Sequence, residues 1–567
     1  FPSNIQGLPT WYEVRVNDKG YLGRRDGVDI MVSVNPQSMA QDIQEVSSGG
    51  YFIYDNTRPL DIRLARNDIS LIGLPLTQIC LDEYKDPRQR QLFKNVIYVG
   101  ALAALIDIEF DVLTSLVADQ FQGKEKLIVP NVHALELGFQ YVKENYSCPL
   151  PVRIERRDNL GEKLLIDGNT ACGLGAIYGG ATVAGWYPIT PSTSVIEAFE
   201  KYCKRLRIDP GSGKKKYAIV QAEDELAAIG IAIGAAWNGA RAFTATSGPG
   251  ISLMTEFLGL AYFAELPIVL INVQRAGPST GMPTRTQQAD VLACAYASHG
   301  DTKHVLLFPE SPKECFDMSA DAFDLADRLQ TPIILMSDLD LGMNDHMSEE
   351  LNWDDNHRYD RGKVLNAEQL DGIEKFGRYM DVDDDGICYR TYPGTHPEKG
   401  AFFTRGTSRD RYAIYCEQGD VYVDNVDRLN RKFKTAAKLI PAPEITNRGN
   451  KTGLIYYGTT AATIQETQDL LQAKGLQVDT MRIRAFPFSD EVEAFIDSHE
   501  KLFVIEQNRD AQLRTLIVNE LEIHPKKLTK VLHYDGLPIT ARFISTQVAE
   551  QLLGSSAKSS TITVASE

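Results

Sequence analysis

No apolar run in this chain of 567 residues reaches the roughly 18 to 20 residues that a bilayer-spanning helix needs. The nearest approach, Val96 to Leu116, is broken by Asp107, Glu109 and Asp111, so no membrane span is expected. Cysteine is sparse: the eight at 80, 148, 172, 203, 294, 315, 388 and 416 stand singly. With no C-x-x-C spacing, zinc, dithiol and iron-sulfur chemistry are excluded from this chain, and any cluster belongs on another one. Positive charge is also short. Lys and Arg number 59 against 76 acids, a formal net charge of -17, and no basic run is longer than Lys214 to Lys216. Such a surface repels phosphate backbones and anionic membranes, so neither nucleic acid nor membrane is an expected partner. The nine histidines show no metal spacing, and His299 and His304 are expected to serve a surface loop. Single thiols without a signal peptide lead to the expectation of a cytoplasmic protein.

What is present suits a soluble, multi-domain α/β chain, with 43% apolar and 24% charged residues. Residues 1–150 form a first unit, with strand-like runs at Trp11 to Val16, Ile30 to Val34, Tyr51 to Tyr54 and Asn95 to Val99. A buried helical region is expected from Gly100 to Leu105 and Leu113 to Ala118. Pro149, Pro151 and the charged Arg153 to Arg157 read as a linker. From Leu164 to about Asp340 strands and helices alternate in a second domain. Its apolar, β-branched runs Ala218 to Val220, Arg241 to Thr246, Ile268 to Val273, Val305 to Phe308 and Pro332 to Met336 predict a doubly wound parallel sheet covered by helices on both faces. The stretch 341–440, acidic and poorly periodic, is expected to be a long crossing segment with some helix. After Leu439 to Pro443 comes a last α/β domain, 440–567, with strands at Leu454 to Tyr457 and Lys501 to Ile505 and a helix from Ala461 to Lys474.

Four stretches of the second domain carry candidate chemistry. Tyr187-Pro188-Ile189-Thr190-Pro191-Ser192 precedes a helical run, and its prolines restrict the backbone around Thr190, which can hold one hydroxyl rigidly. The alternative is a plain helix cap by Ser192 or Thr193. Glu225 follows Glu223 and Asp224 but leads into Leu226-Ala227-Ala228, so it is expected to face an apolar interface, where burial raises a carboxyl's pKa. Otherwise it is a dipole-stabilising acid of a first helical turn. Ser247-Gly248-Pro249-Gly250 allows either close approach to a ligand or a tight βα turn. Gln274 to Arg285 contains Arg275 and Arg285, which with their hydroxyl neighbours suit a dicarboxylate or are ordinary exposed loop arginines. Asp381-Val382-Asp383-Asp384-Asp385-Gly386 imitates a calcium loop, but the twelfth position is Tyr392, so no metal is assigned.

In this order, these stretches resemble the α subunit of a 2-oxoacid:ferredoxin oxidoreductase with the family's γ domain fused at its N-terminus. The shared motifs are Gly168 to Ala176, Tyr187 to Ser192, Glu225, Thr244 to Gly250, Gln274 to Thr284, Asp385-Gly386-Ile387, Pro393-Gly394, Glu506-Gln507-Asn508 and Tyr534 to Pro538. Phe1 to Gly7 and Tyr12 to Val16 resemble the interior of the γ domain; the start at Phe1 leads to the expectation of a missing N-terminal piece. Gln6-Gly7-Leu8 departs from the usual Arg-Gly-Gly, and 396–425 matches poorly.

The resemblance implies three domains, γ at 1–150, a pyrimidine-binding domain at 160–400 and a transketolase C-terminal-like domain at 440–567. It implies thiamine diphosphate shared with a β subunit that carries Mg²⁺ and a [4Fe-4S] cluster, an (αβ)₂ assembly, coenzyme A as co-substrate and ferredoxin as electron acceptor. Glu225 would hydrogen-bond the aminopyrimidine ring, with Tyr187, Ser247 and Gly248 beside it. Thr190 would hydrogen-bond the substrate near its reacting carbons, with Pro188 shaping the wall and Arg275 taking the C1 carboxylate. Arg285, a second cation ten residues on, points to a distal carboxylate and hence to 2-oxoglutarate rather than pyruvate. A transketolase-type enzyme without electron transfer and a non-catalytic γ/α scaffold are the competing readings.

Overall fold

The computed structural model describes residues 9–400 and 404–554. Phe1 to Leu8, with the γ-like Phe1 to Gly7 motif and the Gln6-Gly7-Leu8 departure, lie outside them. The chain divides into two compact units, one built essentially from 25–161 and the other from 162 onward.

The smaller unit is a three-stranded parallel sheet of Val28–Ser33, Val46–Asp55 and Ser70–Leu74, in that order. Its helices Pro87–Ile106 and Glu125–Asn145 pack so closely that a Cβ on Gly100 would lie 2.0 Å from the Leu135 carbonyl, and one on Gly138 would lie 1.8 Å from that of Ile97. Three expectations fail here. Leu113 to Ala118 is helical, within Phe110–Gln120, but that helix buries no residue. Asn95 to Val99 is helix, because Phe93, Ile97, Gly100, Ala101 and Ala104 bury at helical spacing whatever their β propensity. Trp11 to Val16 joins no sheet; Tyr12, Val14 and Val16 are exposed, and Trp11 donates its indole N–H to Asp42 at 2.7 Å.

In the larger unit a seven-stranded sheet runs in the order Ala485–Phe486, Val305–Leu307, Ile333–Asp338, Val269–Gln274, Ala242–Thr246, Val183–Trp186, Ala218–Gln221. All but the first are parallel. The four from Val305–Leu307 to Ala242–Thr246 are buried under helices on both faces, as near-continuous apolar strands require, while the edge strand Ala218–Gln221 is largely exposed. The chain passes outward from Val183–Trp186 to Ala218–Gln221, then reverses to Ala242–Thr246 on the other side. That reversal is a topological switch point, and the crevice beyond the carboxyl ends of the strands there is where open α/β sheets bind ligands. A five-stranded sheet follows, ordered Glu444–Thr446, Asp479–Ile483, Thr452–Tyr457, Lys501–Glu506, Leu528–Leu532, with only the first antiparallel.

Among the described residues of 341–440 there are two short helices, one entering from Leu339, and one long one, Gly419–Ala436. Ion pairs organise it. Glu265, fully buried at the end of the helix Gly248–Ala264, accepts from Arg428 at 2.6 and 3.0 Å, Lys432 at 2.9 Å and Arg409 at 3.4 Å. Burial would raise this carboxyl's pKa, yet Arg428 and then Lys432 hold it well below the usual range. The calcium-like acids serve the same end: Lys363 pairs with Asp383 and Asp385, and Arg431 with Asp381. Among the described residues no helix is long and apolar enough to cross a membrane.

Candidate functional site

Four strand exits converge on the switch-point crevice. Thr190 follows Val183–Trp186, Glu225 follows Ala218–Gln221, Ser247 follows Ala242–Thr246, and Arg275 follows Val269–Gln274.

Asn169, buried on the helix Gly168–Tyr178, donates its amide to the Pro191 carbonyl and the Ser194 hydroxyl, both at 2.8 Å. This pins the turn that carries Thr190. Neither Ser192 nor Thr193 caps the following helix. Both hydroxyls donate back to the Ile189 carbonyl, at 3.1 and 3.2 Å, and Thr193 also accepts from the Ile189 amide. Tyr187 and Thr190 are half-buried and Pro188 is exposed.

Asp224 caps the next helix, accepting from the Ala227 amide at 2.6 Å, and it faces water with Glu223. The chain thereby turns Glu225 inward, to 7% exposure. Its carboxylate accepts no hydrogen bond among the described residues. Its Cγ packs where Gly250 has no side chain: a Cβ there would lie 2.8 Å from Glu225 Cγ and 1.9 Å from Thr246 Oγ1.

Ser247 is fully buried at the cap position of the helix Gly248–Ala264, yet its hydroxyl caps nothing and has no partner. Arg275 is buried and binds two carbonyls, Thr190 through Nη1 at 2.6 Å and Thr280 through Nη2 at 3.0 Å, while its Nε is buried without a partner. The guanidinium that the resemblance assigns to a substrate carboxylate thus also fastens the Thr190 turn to the Gln274–Arg285 loop. Burial lowers its pKa from the ordinary value, opposed by Asp290 and then Glu225. Arg285 lies on the far leg of this loop, half-buried, its stem against Gly536 of the C-terminal domain and its guanidinium in no ion pair among the described residues.

The loop is seated by a polar network from the C-terminal five-stranded sheet and the segments beside it. Thr286 donates its amide to the Gly536 carbonyl at 3.1 Å, and Gln288 donates its own to Gln507 at 2.9 Å. Asn508 and Tyr457 donate to the Gln288 carbonyl at 3.0 and 3.2 Å, and the Gln288 side chain reaches Asp338 and Thr459. This explains the place of Glu506-Gln507-Asn508 and Tyr534 to Pro538 among the motifs.

Sequence reasoning missed Asn169, Asn272 and Asp290. Asp290 lies two residues past Gln288 and accepts from Asn272 at 3.1 Å; burial pushes its pKa up to about 6 against that hydrogen bond and Arg275. His304 is a correction: it is fully buried, bonded to the Ala297 carbonyl at 3.0 Å, with its pKa pushed down by burial to about 4, while His299 is exposed.

The residues present fit a planar polar ring. Ser247 Oγ, Arg275 Nε and Asn272 Oδ1 are buried without partners at adjoining strand ends, beside a buried carboxyl with no internal donor and a glycine whose side chain would fill the space. Fold and site together define an α/β enzyme with its ligand crevice at the switch point of a parallel sheet. Comparison with known proteins narrows this. Residues 174–380 match the family described as pyruvate flavodoxin/ferredoxin oxidoreductase, thiamine diphosphate-binding, and residues 1–141 match pyruvate ferredoxin/flavodoxin oxidoreductase. The α subunit of 2-oxoacid:ferredoxin oxidoreductase 2 from Aeropyrum pernix is 30% identical over 95% of this chain and 90% of its own. The 2-oxoglutarate synthase subunit KorA of Methanothermobacter thermautotrophicus is 33% identical over 61% of this chain and 88% of its own. A solved 2-oxoglutarate:ferredoxin oxidoreductase from Magnetococcus marinus, with 2-oxoglutarate, coenzyme A and succinyl-CoA bound, superposes with a TM-score of 0.83 at 27% identity, over 94% of this chain and 89% of the other. The chain belongs to the 2-oxoacid:ferredoxin oxidoreductase family, as an α subunit.

Proposed function

We propose that this α subunit serves a thiamine diphosphate-dependent 2-oxoglutarate:ferredoxin oxidoreductase, which decarboxylates 2-oxoglutarate oxidatively to succinyl-CoA and passes two single electrons to ferredoxin. The observation that carries the substrate is the pair of cations on one loop, Arg275 buried in the crevice and Arg285, at its far leg, in no ion pair among the described residues. A 2-oxoacid with one carboxylate has no use for the second. The bound 2-oxoglutarate of the Magnetococcus marinus enzyme supports the same choice over pyruvate.

When bound, thiamine diphosphate supplies the nucleophilic carbon and electron sink that decarboxylation of a 2-oxoacid needs. This chain's residues do the rest. Glu225 holds a proton between its carboxyl and the pyrimidine ring nitrogen, a task suited to an acid in a dry, donor-free position. Tyr187, Ser247 and Gly248 flank the ring. Thr190 donates its hydroxyl to substrate beside the reacting carbons, Pro188 bounds the wall, Arg275 neutralises the C1 carboxylate through its remaining Nε donor, and Arg285 takes the distal carboxylate.

The assembly is (αβ)₂ in the cytoplasm, with Mg²⁺ and the [4Fe-4S] cluster on the β subunit. The domains are γ at 1–150, pyrimidine-binding at 160–400 and transketolase C-terminal-like at 440–567. The charge of -17 leads us to dock acidic ferredoxin on the β subunit. The test is Arg285→Ala in the assembled complex, comparing kcat/KM for 2-oxoglutarate and pyruvate. The ratio should fall at least tenfold, the order expected when a charged hydrogen-bonding partner is lost; an unchanged ratio returns the reading to a general or pyruvate-type 2-oxoacid enzyme. A colourless active complex would point to transketolase-type chemistry instead, and full turnover by Glu225→Ala to a scaffold.

A further inference from the structure

Asp290 stands at the same crevice without a place in the scheme above. It precedes the short helix Val291–Ala295 but does not cap it. Its carboxylate turns instead to the first residue of the helix Gly248–Ala264, where a Cβ on Gly248 would lie 3.0 and 3.1 Å from its two oxygens. Asn272 donates to it at 3.1 Å, and its own amide donates to the Gln274 side chain at 3.0 Å. The titratable groups facing it are Arg275 at the exit of Val269–Gln274, Cys294 on its own helix and Tyr457 from the C-terminal sheet; Glu225 shares Arg275 with it. Burial raises the pKa of both Cys294 and Tyr457 well above ordinary values, so both are neutral and Arg275 is the one charged partner.

Burial pushes Asp290 up to about 6 despite Arg275 and Asn272. At neutral pH the fold therefore keeps a carboxylate where an amide of the same shape would be less costly. An arrangement that costs stability beside an active site is the signature of a functional charge.

We propose that Asp290 is a positioning residue of the 2-oxoacid site: its carboxylate holds Asn272 and the Ser247–Gly248 turn in register and supplies the counter-charge that orients Arg275, without touching substrate. This rests on the function proposed above. Asp290→Asn keeps the shape and an acceptor for Asn272 but removes the charge, and Asp290→Ala removes both.

The test uses the assembled αβ complex between pH 5 and 8, reading the thermal midpoint before thiamine diphosphate is added and kcat and KM after. A raised folded pKa means that the acid form's stability is present below the unfolded value and lost as pH rises through about 6. The Asn variant should accordingly be the more stable protein above that pH, by a margin that shrinks as pH falls from 6 to 5. Its KM for the 2-oxoacid should rise about tenfold at neutral pH with kcat changed less, and the acid limb of kcat/KM near pH 6 should vanish. Asp290→Ala should lose both activity and stability. An Asn variant that is less stable at every pH, or that keeps the wild-type KM and pH profile, overturns the role of Asp290 alone. A wild-type complex that turns over no 2-oxoacid overturns the function itself, an outcome the variant comparison cannot mimic.

Discussion

Glu225 enters its helix at the first position, where a carboxylate already gains from the unpaired amides. Both of the readings open in the sequence therefore describe the same residue. What separates them is that Asp224 takes the capping amide, leaving Glu225 without a donor and turned inward. We expect Glu225→Gln to lower kcat by about 10² to 10⁴-fold, the range of general acid–base catalysis, with assembly and the thermal midpoint preserved; loss confined to KM would count against a proton-holding role. Legibility at this scale followed side-chain chemistry. Glu225, Thr190, Arg275 and Ser247 stand in strand–turn–helix signatures that can be read in one dimension. Asp290 and Asn272 cannot be found that way, because they stand 18 residues apart in sequence and meet only in the fold. The one local signal was an isolated acid between Gln288-Ala289 and Val291-Leu292, which is weak.

At the scale of elements, the helix Gly248–Ala264 does two jobs. Its first turn leaves the space beside Glu225, and its last residue hands over to Glu265. Gly250→Ala would place a Cβ 1.9 Å from Thr246 Oγ1 and 2.8 Å from Glu225 Cγ. Both contacts are with buried side chains held close to their own backbone, so we expect about 1–3 kcal/mol of destabilisation from overpacking together with displacement of Glu225, seen as weaker thiamine diphosphate binding in calorimetry. Normal affinity would show that the carboxyl does not depend on that contact. At the other end, Glu265→Gln removes the carboxylate from among Arg409, Arg428 and Lys432. The expected cost is about 3–5 kcal/mol in urea unfolding, that of stranding buried charge. Because the folded pKa of Glu265 is depressed, its contribution is complete above the unfolded carboxyl range and is lost as pH falls through the folded value, so the variant's deficit should shrink only in strong acid. These ion pairs also explain why 341–440 resisted prediction. Its order comes from long-range charge pairs rather than from periodic burial, and among its described residues the long repeat at helical spacing is Gly419–Ala436, burying Asn425, Arg428, Leu429, Lys432 and Phe433. Asn95 to Val99 departs from its strand-like composition for the converse reason, since local propensity yields to the burial period of the whole helix.

Across the whole molecule, the parallel strands were legible because doubly buried strands are short apolar runs between turn residues. The junction of the two units was legible as a charged, proline-bounded linker, and its hydrogen bonds sharpen the boundary. Leu150 and Ile154 donate their amides to Leu105 and Ile106, tying the linker's first part to the smaller unit, and Leu164–Ile166 pairs with His346–Ser348 in the larger. Between these anchors the residues are exposed, and the ion pairs of Arg153, Arg156 and Arg157 are surface pairs that contribute little. Exposed, weakly held backbone is where proteases nick first. Brief trypsin treatment of the α chain within its complex should therefore cut after Arg156 or Arg157. Cleavage after Arg157 separates the smaller unit from a larger fragment that begins at Asp158, which mass spectrometry identifies. The larger one holds Thr190, Glu225, Arg275 and Arg285 with both of their supporting sheets, so its cooperative melting transition should survive the cut. A first cut inside 162–440 would show instead that the long connector, despite its buried ion pairs, is the least stable part of the chain.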